Sequence, residues 1–149
     1  MKKIFLLIKI VSIVLTSTSI ANSGQTNFLD QGIFLFEKKN FDTAKIFFEK
    51  DIVFNPRSEN SYLYLAKIFK QNENDKEQET NLNNALIINP KNEEALYMLT
   101  LLKIKQSNYD KAKELINKFI LVCKSFCSKK KSMQDMLTKL IPENEKNNN

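Results

Sequence analysis

The sequence predicts an all-α chain of three tandem helix-turn-helix repeats closed by a C-terminal capping helix. Three observations carry this. Glycine and proline number only two and three among 149 residues, too few for the many turns of a β-sandwich or barrel. The frames Phe54-Asn55-Pro56-Arg57-Ser58-Glu59 and Ile88-Asn89-Pro90-Lys91-Asn92-Glu93 set their prolines 34 residues apart. A second pair of frames, Lys39-Asn40-Phe41-Asp42-Thr43-Ala44 and Ser107-Asn108-Tyr109-Asp110-Lys111-Ala112, is separated by twice that interval. Two independent landmarks thus share one period, the mark of a stacked repeat.

The first element precedes the repeats. Met1-Lys2-Lys3 is a short positive start, Ile4 to Leu15 is apolar apart from Lys9 and Ser12, and Ser19-Ile20-Ala21 offers small residues at the places a signal peptidase requires. This is the three-part pattern of a secretory signal, with residues 1–21 removed after Ala21. The apolar run is too short for a spanning helix of about 20 residues. The alternative is an uncleaved anchor or a first core helix. No cysteine lies near the cleavage point, so a lipoprotein anchor is not indicated and the mature chain keeps no stable membrane anchor. The Lys-Lys-led signal places the mature protein in a bacterial periplasm or outside the cell. It also carries three of the six net positive charges. The remaining lysines alternate with acids along helices, so the basic balance does not point to nucleic acid.

Each repeat divides into two helices with apolar residues at helical spacing. The spans are Thr26 to Lys38 and Phe41 to Phe54, then Glu59 to Gln71 and Asp75 to Ile88, then Glu93 to Lys105 and Tyr109 to Val122. Pro56 and Pro90 forbid continuation of the preceding helix. Ser58 and Asn92 can cap the next one, with Glu59 and Glu93 complementing its dipole. The domain covers residues 22–141, with repeats at about 25–58, 59–92 and 93–124. A last stripe of Met133, Met136, Leu137, Leu140 and Ile141 forms a capping helix over 129–141, as the open end of a repeat stack requires. The polar, Asn-rich stretch 142–149 is expected to be a disordered tail.

This pattern resembles the tetratricopeptide repeat family. Its places are held by Phe28, Gly32, Leu35, Phe41, Ala44, Phe48 and Pro56 in the first unit. In the second they are Tyr62, Leu65-Ala66, Phe69, Leu82, Ala85 and Pro90, and in the third Leu96, Leu99, Tyr109, Ala112 and Ile116. The resemblance implies a right-handed superhelix in which small residues let helix backbones approach while large ones fill the space around them. The departures are informative. Asp75 and Gln78 stand where an aromatic and a small residue belong, which predicts looser packing at that turn. Gln31 precedes Gly32 where an apolar residue is usual. Thr100, Lys103 and Lys124 replace a small residue, an apolar one and a proline, as expected of a terminal unit.

Cys123 and Cys127 are four apart. In an oxidising compartment such a pair tends to bridge, and a bend or helix end near Ser125 would bring the two within range. The spacing is not that of a redox motif, and with no histidine and no further cysteine a zinc site lacks ligands. The missing histidine also removes the usual general base and the Ser-His and Cys-His pairs. With only Gly24 and Gly32, no phosphate-cradling loop can form. The carboxylates of Glu73, Asp75 and Glu77 read as a solvated turn. The chain is therefore read as a binding protein without cofactor or metal, and not as an enzyme.

The resemblance further implies that the first helices of successive units line a concave groove. Helix phase assigns to it Leu29, Ile33 and Phe36, then Leu63, Tyr64, Lys67 and Lys70, then Tyr97, Met98, Leu101 and Ile104. Some family members clasp a C-terminal carboxylate there with Lys, Arg and Asn. Leu29, Ile33, Tyr64 and Met98 hold those places here, which argues against that mode. An apolar face of this size marks an interaction site. Two readings follow: a periplasmic adaptor holding a peptide segment of another protein, or a structural envelope protein that associates with copies of itself.

Overall fold

A computed structural model of the chain describes residues 27–140. The signal sequence and the polar tail read from the sequence lie outside the described residues. Seven helices follow one another: α1 (Phe28–Glu37), α2 (Phe41–Phe54), α3 (Glu59–Gln71), α4 (Asp75–Ile88), α5 (Glu93–Lys105), α6 (Tyr109–Val122) and α7 (Lys129–Leu140). No strand occurs among the described residues, and none of the described helices is long and apolar enough to cross a membrane. The helices pair as hairpins, α1 with α2, α3 with α4 and α5 with α6, and each hairpin packs on the next. Helix α7 lies against both α5 and α6 and closes the stack, burying Met133 and Leu137.

Helices α2 to α6 cover the spans that apolar spacing predicts. The first helix is shorter than expected. It starts at Phe28 because the Asn27 side chain accepts the Asp30 amide at 3.1 Å, and it ends before Lys39, whose φ is +60°. That left-handed residue recurs at Glu73 (53°) and Ser107 (56°), once per period. In each case the next residue is an asparagine, whose amide reaches back to the first helix of the hairpin. Asn40 bonds Leu35 O, Asn74 bonds Phe69 O and Asn108 bonds Lys103 O, each at 2.9 Å. These are helix-terminating turns with an αL residue. The Asn74 and Asn108 side chains then cap the following helix. Glu73-Asn74 is therefore a third landmark of the repeat.

Several departures from the repeat pattern are explained by pairing. The looser packing that Asp75 and Gln78 predict for the second hairpin does not occur. Gln78 is buried, and α3 and α4 make the most extensive contact of the three hairpins. Asp75 instead reaches Lys105 of the next unit at 2.7 Å, and Lys103, in an apolar place, meets Glu79 at 2.6 Å. One departure in each unit, Asp75 and Lys103, is thus paired with an opposite charge across the junction of the second and third hairpins. Buried Thr100 donates its hydroxyl to Leu96 O at 2.8 Å, which satisfies the polar atom in a small-residue place.

Asn92 caps α5 by accepting the Ala95 amide at 2.9 Å, but Ser58 makes no such bond to α3. Its hydroxyl donates to Ser61, which donates in turn to the Asp51 carboxylate. All three residues are buried. A buried carboxylate at the junction of the first two hairpins needs those donors more than the helix end needs its cap.

Candidate functional site

Helices α3, α4, α5 and α7 border a cavity of about 460 Å³. Met98, Leu101 and Ile104 of α5 and Met136 of α7 supply its apolar lining, while Lys70, Lys105, Glu73 and Asp75 stand on its polar side. Of the residues read from the sequence, Lys70, Met98, Leu101 and Ile104 come together here. Met98 and Ile104 are buried, so they form the floor and offer little surface for contact. Leu63 is buried as well, in the core shared by the second and third hairpins. The cause is the stack: Leu63 enters the core that the second hairpin shares with the third, and α7 lies against α5, so a face that is open in a single hairpin is closed by its neighbours.

Leu29, Ile33, Phe36 and Tyr64 gather instead around the buried Phe48 of α2. Tyr64 stacks on Phe48 (5.0 Å, 14°) and meets Phe36 edge-on at 5.1 Å. Burial, with Glu94 and Glu37 nearby, raises the Tyr64 phenol above its ordinary value, so it stays neutral. Lys67 sits over the Tyr64 ring at 4.5 Å and pairs with Glu94 at 2.9 Å. It is a bridge between α3 and α5, and the exposed Lys70 is the lysine left open to a ligand. Tyr97 is half-buried beside Phe126, with Lys129 over its ring at 5.9 Å.

The sequence reading missed three contributors: Glu94 as the partner of Lys67, Met136 as a wall of the cavity, and Glu93 as a clamp. The Glu93 carboxylate accepts the amides of Lys124 and Phe126, each at 2.8 Å, and that of Ser125 at 3.4 Å. These bonds hold it below the ordinary carboxylate range, with Phe126 the largest cause. They pin the segment between α6 and α7, where Lys124 stands in place of proline. The same segment carries the disulfide between Cys123 and Cys127, whose Cα atoms are 5.2 Å apart. The bridge is possible because α6 stops at Val122 and Cys123 is extended (φ −61°, ψ 140°). So short a loop constrains the unfolded chain weakly, and Cys123→Ser is expected to lower the unfolding free energy by no more than about 2 kcal/mol. Urea unfolding with and without dithiothreitol measures this; a larger loss in the variant would show that the thiols do more than staple the segment. Among the described residues, no group of three or more His, Cys, Asp or Glu side chains could hold a metal ion.

No protein-family model matches the sequence, and no curated protein matches it. Solved structures do. The TPR domain of Arabidopsis OM64 superposes with a TM-score of 0.69 at 18% identity, over 76% of this chain and 93% of that one. The TPR2B domain of yeast Sti1, solved as a complex with pHsp70, gives 0.64 at 18% identity, over 77% and 94%. The Yersinia enterocolitica type III secretion translocator chaperone SycD, in an alternative dimer, gives 0.68 at 10% identity, over 87% and 99%. Paired helices recurring every 34 residues, with these likenesses, lead to one conclusion: the chain has the tetratricopeptide-repeat fold.

Proposed function

We propose that this protein is an interaction adaptor that holds a segment of another polypeptide against α3, α5 and α7, in the periplasm or outside a bacterial cell, and carries out no chemistry itself. The cavity, with Leu101 and Met136 as walls over the Met98 floor and Lys70 open beside them, is the observation that carries this reading. It offers apolar side chains a place and gives an acidic group on the segment a partner. The Sti1 domain, solved with pHsp70, supports peptide binding by this fold. The dimer recorded for SycD favours a second reading, in which the occupant is another copy of the chain.

The test is affinity capture from envelope extract with the wild-type chain and with Lys70→Glu/Leu101→Glu, checked by circular dichroism for unchanged helix content. The proposal expects at least one captured protein to be lost by the variant. Identical capture by both would overturn it. A wild-type dimer in sedimentation that the variant converts to monomer would replace it with the second reading.

A further inference from the structure

A second cavity, of about 580 Å³, lies between α4 and α6. It shares α5 and α4 with the first but meets α5 on its other side and α4 nearer its C-terminal end. Leu96 and Leu99 line this one, while Met98 and Leu101 line the other. At 100° per residue these pairs point in roughly opposite directions. Nothing in the proposed function above uses this side of the molecule.

Its edges carry two large apolar side chains that the fold leaves open. Ile87 of α4 is 78% exposed and Leu121 of α6 is 85% exposed. They are one repeat period apart, and the equivalent residue of the first unit, Val53, is 74% exposed. A single exposed leucine needs no explanation. The same place filled by a large apolar residue in three successive units, two of them flanking a cavity, marks a surface with a use. The polar lining consists of Asn83, Lys91, Lys111 and Lys118, without a carboxylate. Glu114 bridges Lys111 and Lys118, each at 2.7 Å, and offsets one of the three charges. Lys91 makes no ion pair among the described residues.

We propose that the groove between α4 and α6 is a second docking site, which takes an acidic amphipathic helix of a partner protein. Its apolar residues enter over Leu96 and Leu99 between Ile87 and Leu121, and its flanking carboxylates meet Lys91, Lys111 and Lys118. This is helix-in-groove recognition, read by apolar anchors at i, i+3 or i+4, and i+7. The lysine rim favours this occupant over a second copy. A twofold dimer sets the same patch against itself and would bring lysine rim to lysine rim. The protein then has two independent faces and can join two partners.

The probe is a synthetic helical peptide with leucines in that spacing and glutamates on either side, compared with a peptide in which lysines replace the glutamates. Binding to the full chain is followed by fluorescence anisotropy. The glutamate peptide is expected to bind at least tenfold more tightly than the lysine peptide. Ile87→Glu/Leu121→Glu, both at exposed positions, should weaken it at least tenfold. Lys91→Glu/Lys118→Glu should reverse the preference between the peptides, a result no loss of folding could produce. Lys70→Glu/Leu101→Glu, which disables the other face, should change nothing. Equal binding of the two peptides, or binding insensitive to Ile87→Glu/Leu121→Glu, would overturn the proposal. A dimer in sedimentation that Leu121→Glu dissociates would also overturn it, in favour of a second copy.

Discussion

Replacing Phe48 by alanine is expected to cost about 3–5 kcal/mol, the largest single loss in the first repeat. The ring is fully buried and touches three helices at once. It belongs to α2, it stacks on Tyr64 of α3, and it lies against the backbone of α1 at Gly32. A Cβ added at Gly32 would come within 2.6 Å of the ring, closer than any ordinary contact. Because Tyr64 holds the other face, the ring cannot move aside freely. Gly32→Ala should therefore be destabilising by about 1–3 kcal/mol from overpacking, less about 1 kcal/mol returned because alanine favours the helix. The two substitutions should couple with a change of sign. In a Phe48→Ala background the clash is gone, and Gly32→Ala should be neutral or stabilising. Urea unfolding of the four proteins tests this. If Gly32→Ala costs the same in both backgrounds, the glycine is not there for the ring, and the account of how the first hairpin closes is wrong.

The Gly32–Phe48 contact also shows what a sequence can and cannot disclose. A small residue on one helix and a large one on its partner, in register with a 34-residue period, announce a close approach before any coordinate is known. Helix spans follow for the same reason: Pro56, Pro90 and the turn asparagines stop and start helices locally. What periodicity does not convey is how far the next element overlaps a face. Leu63, Met98 and Ile104 have the phase of groove residues, but they are buried in the core that the stacked hairpins and α7 share. Ile87 and Leu121 have the phase of helix residues near a core, but among the described residues they stay exposed. Both outcomes depend on contacts between units. The same holds for Asp75, Lys103 and Glu93, each of which looks like a defect or a simple helix-end charge until its partner outside its own hairpin turn is seen.

Lys103 gives the second large effect. Its side chain is only 12% exposed, and its ammonium meets Glu79 at 2.6 Å. Glu79→Ala leaves that charge without its carboxylate in a poorly solvated place and is expected to cost about 2 kcal/mol. The repeat pattern wants an apolar residue at position 103. Lys103→Leu should accordingly restore most of the lost stability in the Glu79→Ala protein, while destabilising the wild type, where it would strand Glu79. The pH dependence follows from the same pair. The bond from Lys103 is the largest cause holding the Glu79 carboxyl below its ordinary 4.5, and Glu93 is likewise held down. Lys111 and Lys118 hold Glu114 at about 2. As pH falls, the unfolded chain takes up protons on these groups before the folded one does. Their stabilisation is therefore complete above about pH 4.5 and is lost as pH falls through the folded values. Alanine at 79 has no proton to gain, so the deficit of Glu79→Ala against wild type should be largest above pH 4.5 and shrink below it. A deficit that stays constant from pH 6 to pH 3 would mean the carboxylate acts through packing and not through its charge.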